Sequence, residues 1–343
     1  MARLNRFATR VATLLVMLQA AGCAEGYTQS SMVTMTSDFG PAINSLYSLF
    51  TWISLAVFVV VEVLLVYAIV RFRKQDGDTS IPKQVHGHTT GEILWTIAPA
   101  LIVLAIAIPT IKTIFLLAKP PERADVVQVH VVGRQWWWRF EYPAIGVVTA
   151  NELHLPVGKT AVFKIDSDDV IHSFWFPNAG GKRDAVPGHT NSMYFTPVQV
   201  GTFTGQCAEY CGTSHANMRM TLVVESEADF KAWVELQKAP AASVTDATVA
   251  AGKDAFVANC MACHRINAAP ESGIVSFGQP NPDLTHVAGR QTFGSGLYAF
   301  NAANLHKWLK NPQAAKPGSL MKLPAELDDE TVNNLVAFLQ TLK

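Results

Sequence analysis

Charge is scarce in this chain. Only 16% of its 343 residues are Asp, Glu, Lys or Arg, against about 25% in a typical soluble domain. The 27 basic residues cancel the 27 acidic ones. Without a basic excess, nucleic acid is excluded as the main partner, because phosphate contacts require one. Cysteine is scarce too, with five in all, at positions 23, 207, 211, 260 and 263. An odd number cannot be wholly paired into disulfides. No internal repeat is present. Apolar residues, in contrast, make up 49% of the chain, and mean hydropathy is +0.19. That excludes a wholly disordered chain and suits a protein partly in lipid and partly in water. The length implies more than one domain.

The first 22 residues have the pattern of an export signal. Arg3, Arg6 and Arg10 precede an apolar stretch at 11–20, and small residues lead to Cys23. The ending Ala20-Ala21-Gly22-Cys23 resembles a bacterial lipoprotein processing site with Cys23 as the lipidated N-terminus, although Ala20 stands where Leu is preferred. Ordinary cleavage nearby is the alternative. Two long apolar runs follow, at 46–70 and 93–118. Each exceeds the roughly 20 residues that cross a bilayer as a helix. The loop between them carries Arg71, Arg73, Lys74 and Lys83 against Asp76 and Asp78, which places it in the cytoplasm. Everything after the second span then lies outside, in agreement with export.

Beyond residue 120 the texture changes. Segments 126–132, 135–142, 147–155, 160–166, 192–197, 201–205 and 219–224 read as short strands punctuated by Gly, Pro, Asn and Asp, which predicts an all-β barrel or sandwich over 121–236. Residues 237–244 read as a linker. Helical patterns at 245–259 and 328–342 then predict a small all-α domain over 245–343.

Segment 207–218 reads Cys-Ala-Glu-Tyr-Cys-Gly-Thr-Ser-His-Ala-Asn-Met. Cys207 and Cys211 lie four apart, with His215 and Met218 behind and His172 upstream. Two thiolates, two imidazoles and a thioether form a soft ligand set. Zinc has little use for a thioether. A mononuclear blue-copper site needs only one Cys, so the second suggests two metals bridged by two sulfurs. A Cys207–Cys211 disulfide would leave His215 and Met218 at ligand spacing unexplained. Met220 competes with Met218 by position.

These residues resemble the CuA loop of cytochrome c oxidase subunit II, and the resemblance extends over residues 40–230. It implies a two-helix transmembrane hairpin, residues 23–120, and a cupredoxin-like barrel. It implies a dinuclear copper centre bridged by Cys207 and Cys211, with His172 and His215 as terminal ligands and Met218 as a weak one. It further implies that Glu209 gives a backbone carbonyl to copper and that its side chain binds Mg²⁺ at the contact with subunit I. Within Gln135-Trp136-Trp137-Trp138, Trp136 matches the electron-entry tryptophan. Strand alternation would put Trp136 and Trp138 on one face. Glu92 matches a residue at the mouth of a proton-uptake path, while a helix-start carboxylate is equally favourable through the macrodipole. Glu62 lies inside the first span, where a contact to the catalytic subunit is the natural reading.

Cys260-Met261-Ala262-Cys263-His264 is the attachment motif of c-type haem, with His264 as proximal ligand. Met321 is the only later methionine and is the expected sixth ligand. His286 and His306 read as surface histidines. This domain resembles class I cytochromes c, and the chain as a whole resembles subunit II of a caa-type oxidase. The resemblance implies electron flow from an external donor, such as a cytochrome c or a quinol–cytochrome c reductase, through haem c and copper to haem a in subunit I (the haem a/CuB subunit). There O₂ reduction is coupled to proton translocation. The implied location is the bacterial inner membrane, with both cofactor domains on the periplasmic side. A relay for another membrane reductase, such as nitric oxide reductase, is the alternative. A labile copper carrier is a second, but would have no need of haem.

Overall fold

The computed structural model describes residues 35–74, 77, 79, 81, 83–118, 125–241, 246–267, 281–323 and 325–343. The export signal and Cys23 lie outside them. Helix α1 (Gly40–Arg71) starts at a proline in its first turn, where the missing N–H costs nothing. At 1.5 Å per residue its 32 residues span about 48 Å, more than the roughly 30 Å hydrocarbon layer. Helix α2 (Thr89–Ala118) contains Pro99 and Pro109. Both helices are apolar all round, and large residues such as Trp52, Leu64 and Phe115 are exposed. Such surface is stable only in lipid. Thr51, Thr96, Thr110 and Thr113 each donate their hydroxyl to the carbonyl four residues earlier, which pairs these four polar groups within the helices.

Both ends of this hairpin are tied to the domain that follows. Tyr194 donates to the Leu116 carbonyl at 2.9 Å, and Phe39 packs edge-on against Tyr194. Ahead of α1, Thr36 and Asp38 donate backbone bonds to Asn178 and Thr196.

That domain is two facing five-stranded sheets. Its strands are β1 (Val127–Arg134), β2 (Trp137–Tyr142), β3 (Val147–Ala150), β4 (Glu152–Pro156), β5 (Ala161–Ser167), β6 (His172–Trp175), β7 (Arg183–Ala185), β8 (Asn191–Phe195), β9 (Gly201–Cys207) and β10 (Arg219–Glu225). One sheet runs β3-β2-β1-β5-β8 and the other β4-β10-β9-β6-β7. Pairs β1/β5 and β4/β10 are parallel. Alternate residues such as Trp138, Phe140, Phe163, Ile165, Phe174 and Leu222 meet in one buried core.

Four findings differ from the sequence reading. β6 and β7 are additional strands, each only three or four residues long and without a clear period. Helix α3 (Glu227–Lys238), capped by Ser226 accepting from the Asp229 amide, covers the end of the sandwich. It reaches two residues into the expected linker, of which 242–244 lie outside the described residues. Strand β2 begins at Trp137, so Trp136 sits in the β1–β2 turn rather than on the strand. His286 is buried, its ring nitrogens bonded to the Lys343 and Ala239 carbonyls.

The C-terminal domain has its own core. Its elements are α4 (Ala247–Asn259), the two-residue strands β11 (Thr292–Phe293) and β12 (Tyr298–Ala299), α5 (Ala302–Lys310), the single turn α6 (Pro312–Ala315) and α7 (Asp329–Leu339). Asp246, Asn301 and Asp328 cap α4, α5 and α7. α4 crosses α7 at Gly252, where a Cβ would collide with the Asn334 carbonyl. Phe256 then packs against Phe338 with the rings tilted at 54°.

Candidate functional site

The soft ligands converge at one end of the sandwich. Cys207 closes β9 and Met218 precedes β10. The Cys207 amide donates to the Met218 carbonyl at 2.9 Å, pinching the intervening segment into a closed loop. His172 opens β6, whose Phe174 is the register partner of Cys207. The two sulfurs stand 3.8 Å apart. Each has one imidazole: His172 Nδ1 lies 3.9 Å from Cys207 Sγ, and His215 Nδ1 lies 3.6 Å from Cys211 Sγ. Met218 Sδ is 3.8 Å from Cys211 Sγ, and the Glu209 carbonyl is 3.3 Å from Cys207 Sγ. The Glu209 side chain is exposed. Met220, the competitor, lies against Gly205 instead.

The electrostatics fit a metal. The Cys207 thiol is held far below its ordinary value by Cys211 and by His172, while Cys211 is pushed up by the neighbouring anion and by burial. The pair therefore shares one proton, because two thiolates this close cannot both ionise without positive charge between them. Metal ions supply that charge. His172, Cys207 and Cys211 are buried and their donor atoms lie within 4.8 Å of one another.

The sequence reading missed three residues that hold this arrangement. Asp169 Oδ1 is 2.8 Å from His172 Nε2, so it fixes the ring with Nδ1 toward sulfur. Its other oxygen accepts from the Gln135 amide. Gly133 lets the His172 ring lie on β1, since a Cβ there would meet Cδ2 at 2.8 Å. Gln135 Nε2 and Trp136 Nε1 both donate to the Cys211 carbonyl, at 2.8 and 3.0 Å. Asp169, three residues before His172, and the glycine between two valines and Arg134 were the available signals.

The second site is a cavity of about 480 Å³, in the size range of cofactor pockets. Cys260, Cys263, His264 and Met321 all line it. His264 Nδ1 lies 2.9 Å from the Pro282 carbonyl, which leaves Nε2 as the nitrogen available to iron. Burial lowers the His264 pKa and favours the neutral form a metal needs. Met321 Sδ accepts from Trp308 Nε1 at 3.2 Å, which orients the thioether. Met261 stays within the attachment loop. The donor set fits a covalently held haem with His and Met ligands. Arg134, Gln135, Trp136 and Trp137 form one wall of the same cavity, so the copper-type loop and the haem-type pocket share Trp136.

The remaining candidates lie elsewhere. Glu92 is exposed in the first turn of α2 and accepts from the His88 amide at 3.3 Å. Glu62 is half-buried within α1.

Comparison with known proteins agrees with this architecture. Residues 29–113 match the transmembrane domain of cytochrome c oxidase subunit II, residues 146–227 its periplasmic domain, and residues 249–343 cytochrome c. Cytochrome c oxidase subunit 2 of Alkalihalophilus pseudofirmus is 35% identical over 85% of this chain and 83% of its own length. That of Bacillus sp. (strain PS3) is 34% identical over 79% of this chain and 80% of its own. The crystal structure of the periplasmic domain of subunit II of the Bradyrhizobium japonicum cytochrome oxidase is 30% identical and covers 36% of this chain and 97% of its own, with a TM-score of 0.33. The chain therefore belongs to the cytochrome c oxidase subunit II family, in the form with a cytochrome c domain fused behind the copper-binding domain, and is the electron-transfer subunit of a haem-copper terminal oxidase.

Proposed function

We propose that this chain passes electrons from an external donor, through haem c held by Cys260, Cys263, His264 and Met321, to a dinuclear copper centre held by His172, Cys207, Glu209, Cys211, His215 and Met218, and on to haem a in subunit I. One observation carries the route. Trp136 walls the cavity that holds the haem ligands and donates its indole N–H to the backbone of Cys211. A single side chain thus spans from one site to the other, in keeping with its reading as the electron-entry residue.

When bound, the two groups supply reversible one-electron chemistry. The protein residues hold geometry. Asp169 fixes His172, the Cys207–Met218 backbone bond closes the ligand loop, and Trp308 fixes Met321. A ligand set held this firmly in both redox states keeps reorganisation small. On this reading oxygen reduction takes place in subunit I, where it is coupled to proton translocation. Glu209, exposed beside the sulfur pair, is the proposed Mg²⁺ ligand at the subunit I contact, and Glu92 the proposed proton-path entrance. The domain boundaries follow the same reading: 1–22 signal, 23–120 hairpin, 121–236 copper domain, 237–244 linker and 245–343 haem domain. The cofactor domains face the periplasm from the inner membrane, and Cys23 is a lipid anchor.

The test is purification of the intact membrane complex with metal, haem and subunit analysis. Copurification of a haem a/CuB subunit together with a seven-line copper hyperfine pattern is the expected result. A mononuclear copper signal would overturn the dinuclear assignment, and a partner lacking haem a would redirect the relay to another reductase.

A further inference from the structure

The haem domain and the copper domain meet through a polar contact that nothing in the redox chemistry requires. Lys316 is 4% exposed. Its Nζ donates to the Trp136 carbonyl at 2.6 Å and to Ser295 Oγ at 2.7 Å. Ser295 Oγ donates to the same Trp136 carbonyl at 2.6 Å. Two side chains of the haem domain therefore close on one backbone oxygen of the copper domain. Ser295 is a non-glycine residue with φ of 65°, a conformation that surrounding structure must over-determine. Four further bonds flank this point. The Arg219 amide donates to the Ser295 carbonyl, Ser214 Oγ donates to the Pro317 carbonyl at 2.5 Å, and Glu152 Oε1 accepts from the Gln291 and Thr292 amides at 2.8 and 3.1 Å. Glu152, Ser214 and Ser295 are buried.

A burying contact of this kind is costly unless every polar group is paired. Transient redox partners meet instead through small, wet patches. Lysine is seldom fully buried, and here its amine nitrogen is spent on the carbonyl of the residue that touches both sites and on the serine bonded to that same carbonyl. The short segment Lys316-Pro317-Gly318-Ser319-Leu320-Met321 also carries the expected haem ligand, so the latch and the ligand are five residues apart on one loop.

We propose that Lys316, with Ser295, is a positioning latch that locks the haem domain onto the Trp136 turn, so that the cavity faces Trp136 in one fixed geometry and not as a tethered module that docks and leaves. Lys316 acts through Trp136 and takes no part in the redox chemistry. The inference rests on the reading that electrons pass from haem to copper within this chain.

The test uses the intact oxidase, anaerobic, with a photoexcited ruthenium complex as reductant of the haem. Haem reoxidation and copper reduction are followed in wild type, in Lys316→Met, and in Ser295→Gly, which suits the left-handed backbone and removes only the hydroxymethyl group. In wild type the internal rate is independent of solvent viscosity. In Lys316→Met it falls about tenfold or more, as expected for loss of a fixed reacting geometry, and becomes viscosity-dependent, while haem and copper spectra are unchanged. Ser295→Gly shifts the rate the same way by less. Amide exchange gives a readout independent of turnover. The Arg219, Gln291 and Thr292 amides are protected in wild type, and Arg219 loses protection in Lys316→Met. A viscosity-dependent wild-type rate, or variants identical to wild type in both rate and exchange, would overturn the latch. Failure of the underlying route looks different, because wild-type haem would then be reduced without any copper following it.

Discussion

Cys207 and Cys211 stand 3.8 Å apart, too close for both to be thiolates without positive charge between them, so metal binding must displace a proton. Cys207→Ser should therefore abolish the mixed-valence copper signal in electron paramagnetic resonance while the haem absorption is retained; an unchanged copper spectrum would refute the bridge. At the haem, Met321→Ala should remove the sulfur–iron absorption band in the red. Trp308 holds that thioether through its indole N–H, so persistence of the band would mean another axial ligand. Gly133→Ala tests the packing around His172. A methyl group 2.8 Å from the ring must push the imidazole off its place, and the copper hyperfine pattern should broaden or split while the domain still folds.

Pairs of elements bring in terms that no single residue carries. His130 on β1 lies between Glu141 on β2 at 3.0 Å and Asp166 on β5 at 2.8 Å. Partial burial opposes its charge, but the two carboxylates outweigh burial and raise its pKa. His154 on β4 is raised in the same sense by Glu152 and Glu225, again against burial. A raised imidazole pKa contributes stability that is complete below the unfolded value, about 6.5, and is lost as pH rises through the folded value. The unfolding temperature of the sandwich, followed by calorimetry on the intact complex, should therefore fall as pH rises above about 6.5. His130→Gln should flatten that slope. In the haem domain the α4–α7 crossing depends on Gly252. Gly252→Ala should destabilise the domain by about 1–3 kcal/mol through overpacking, seen as a lowered unfolding temperature with the haem still attached.

For the whole molecule, the hairpin and the two domains divide the chain between lipid and water. α1 and α2 expose apolar side chains on every side, and their loop ends carry the basic residues. A cysteine at Thr79 should react with a membrane-impermeant maleimide only from the cytoplasmic side, and one at Val148, which is exposed on β3, only from the outside; the reverse labelling would invert the topology. Much of this plan was legible in the chain. Apolar length fixes the spans, period-2 patterning marks most strands, and the Cys-x-x-Cys-His and Cys-x-x-x-Cys spacings mark both cofactor loops, because covalent attachment and loop ligation are local in sequence. Long-range contacts were not legible. That Asp169 orders His172, that Trp136 leaves the strand for a turn, and that His286 is buried between Lys343 and Ala239 all depend on which surfaces pack together. Lys316 is the extreme case. In sequence it is one lysine among several before a proline, and only the folded pair of domains removes it from water and points it at a carbonyl 180 residues away. The sequence by itself determined the local chemistry and the partition between lipid and water, which depend on spacing and hydrophobicity. The tertiary structure decided how the two redox sites face each other, because that depends on burial and complementarity between distant segments.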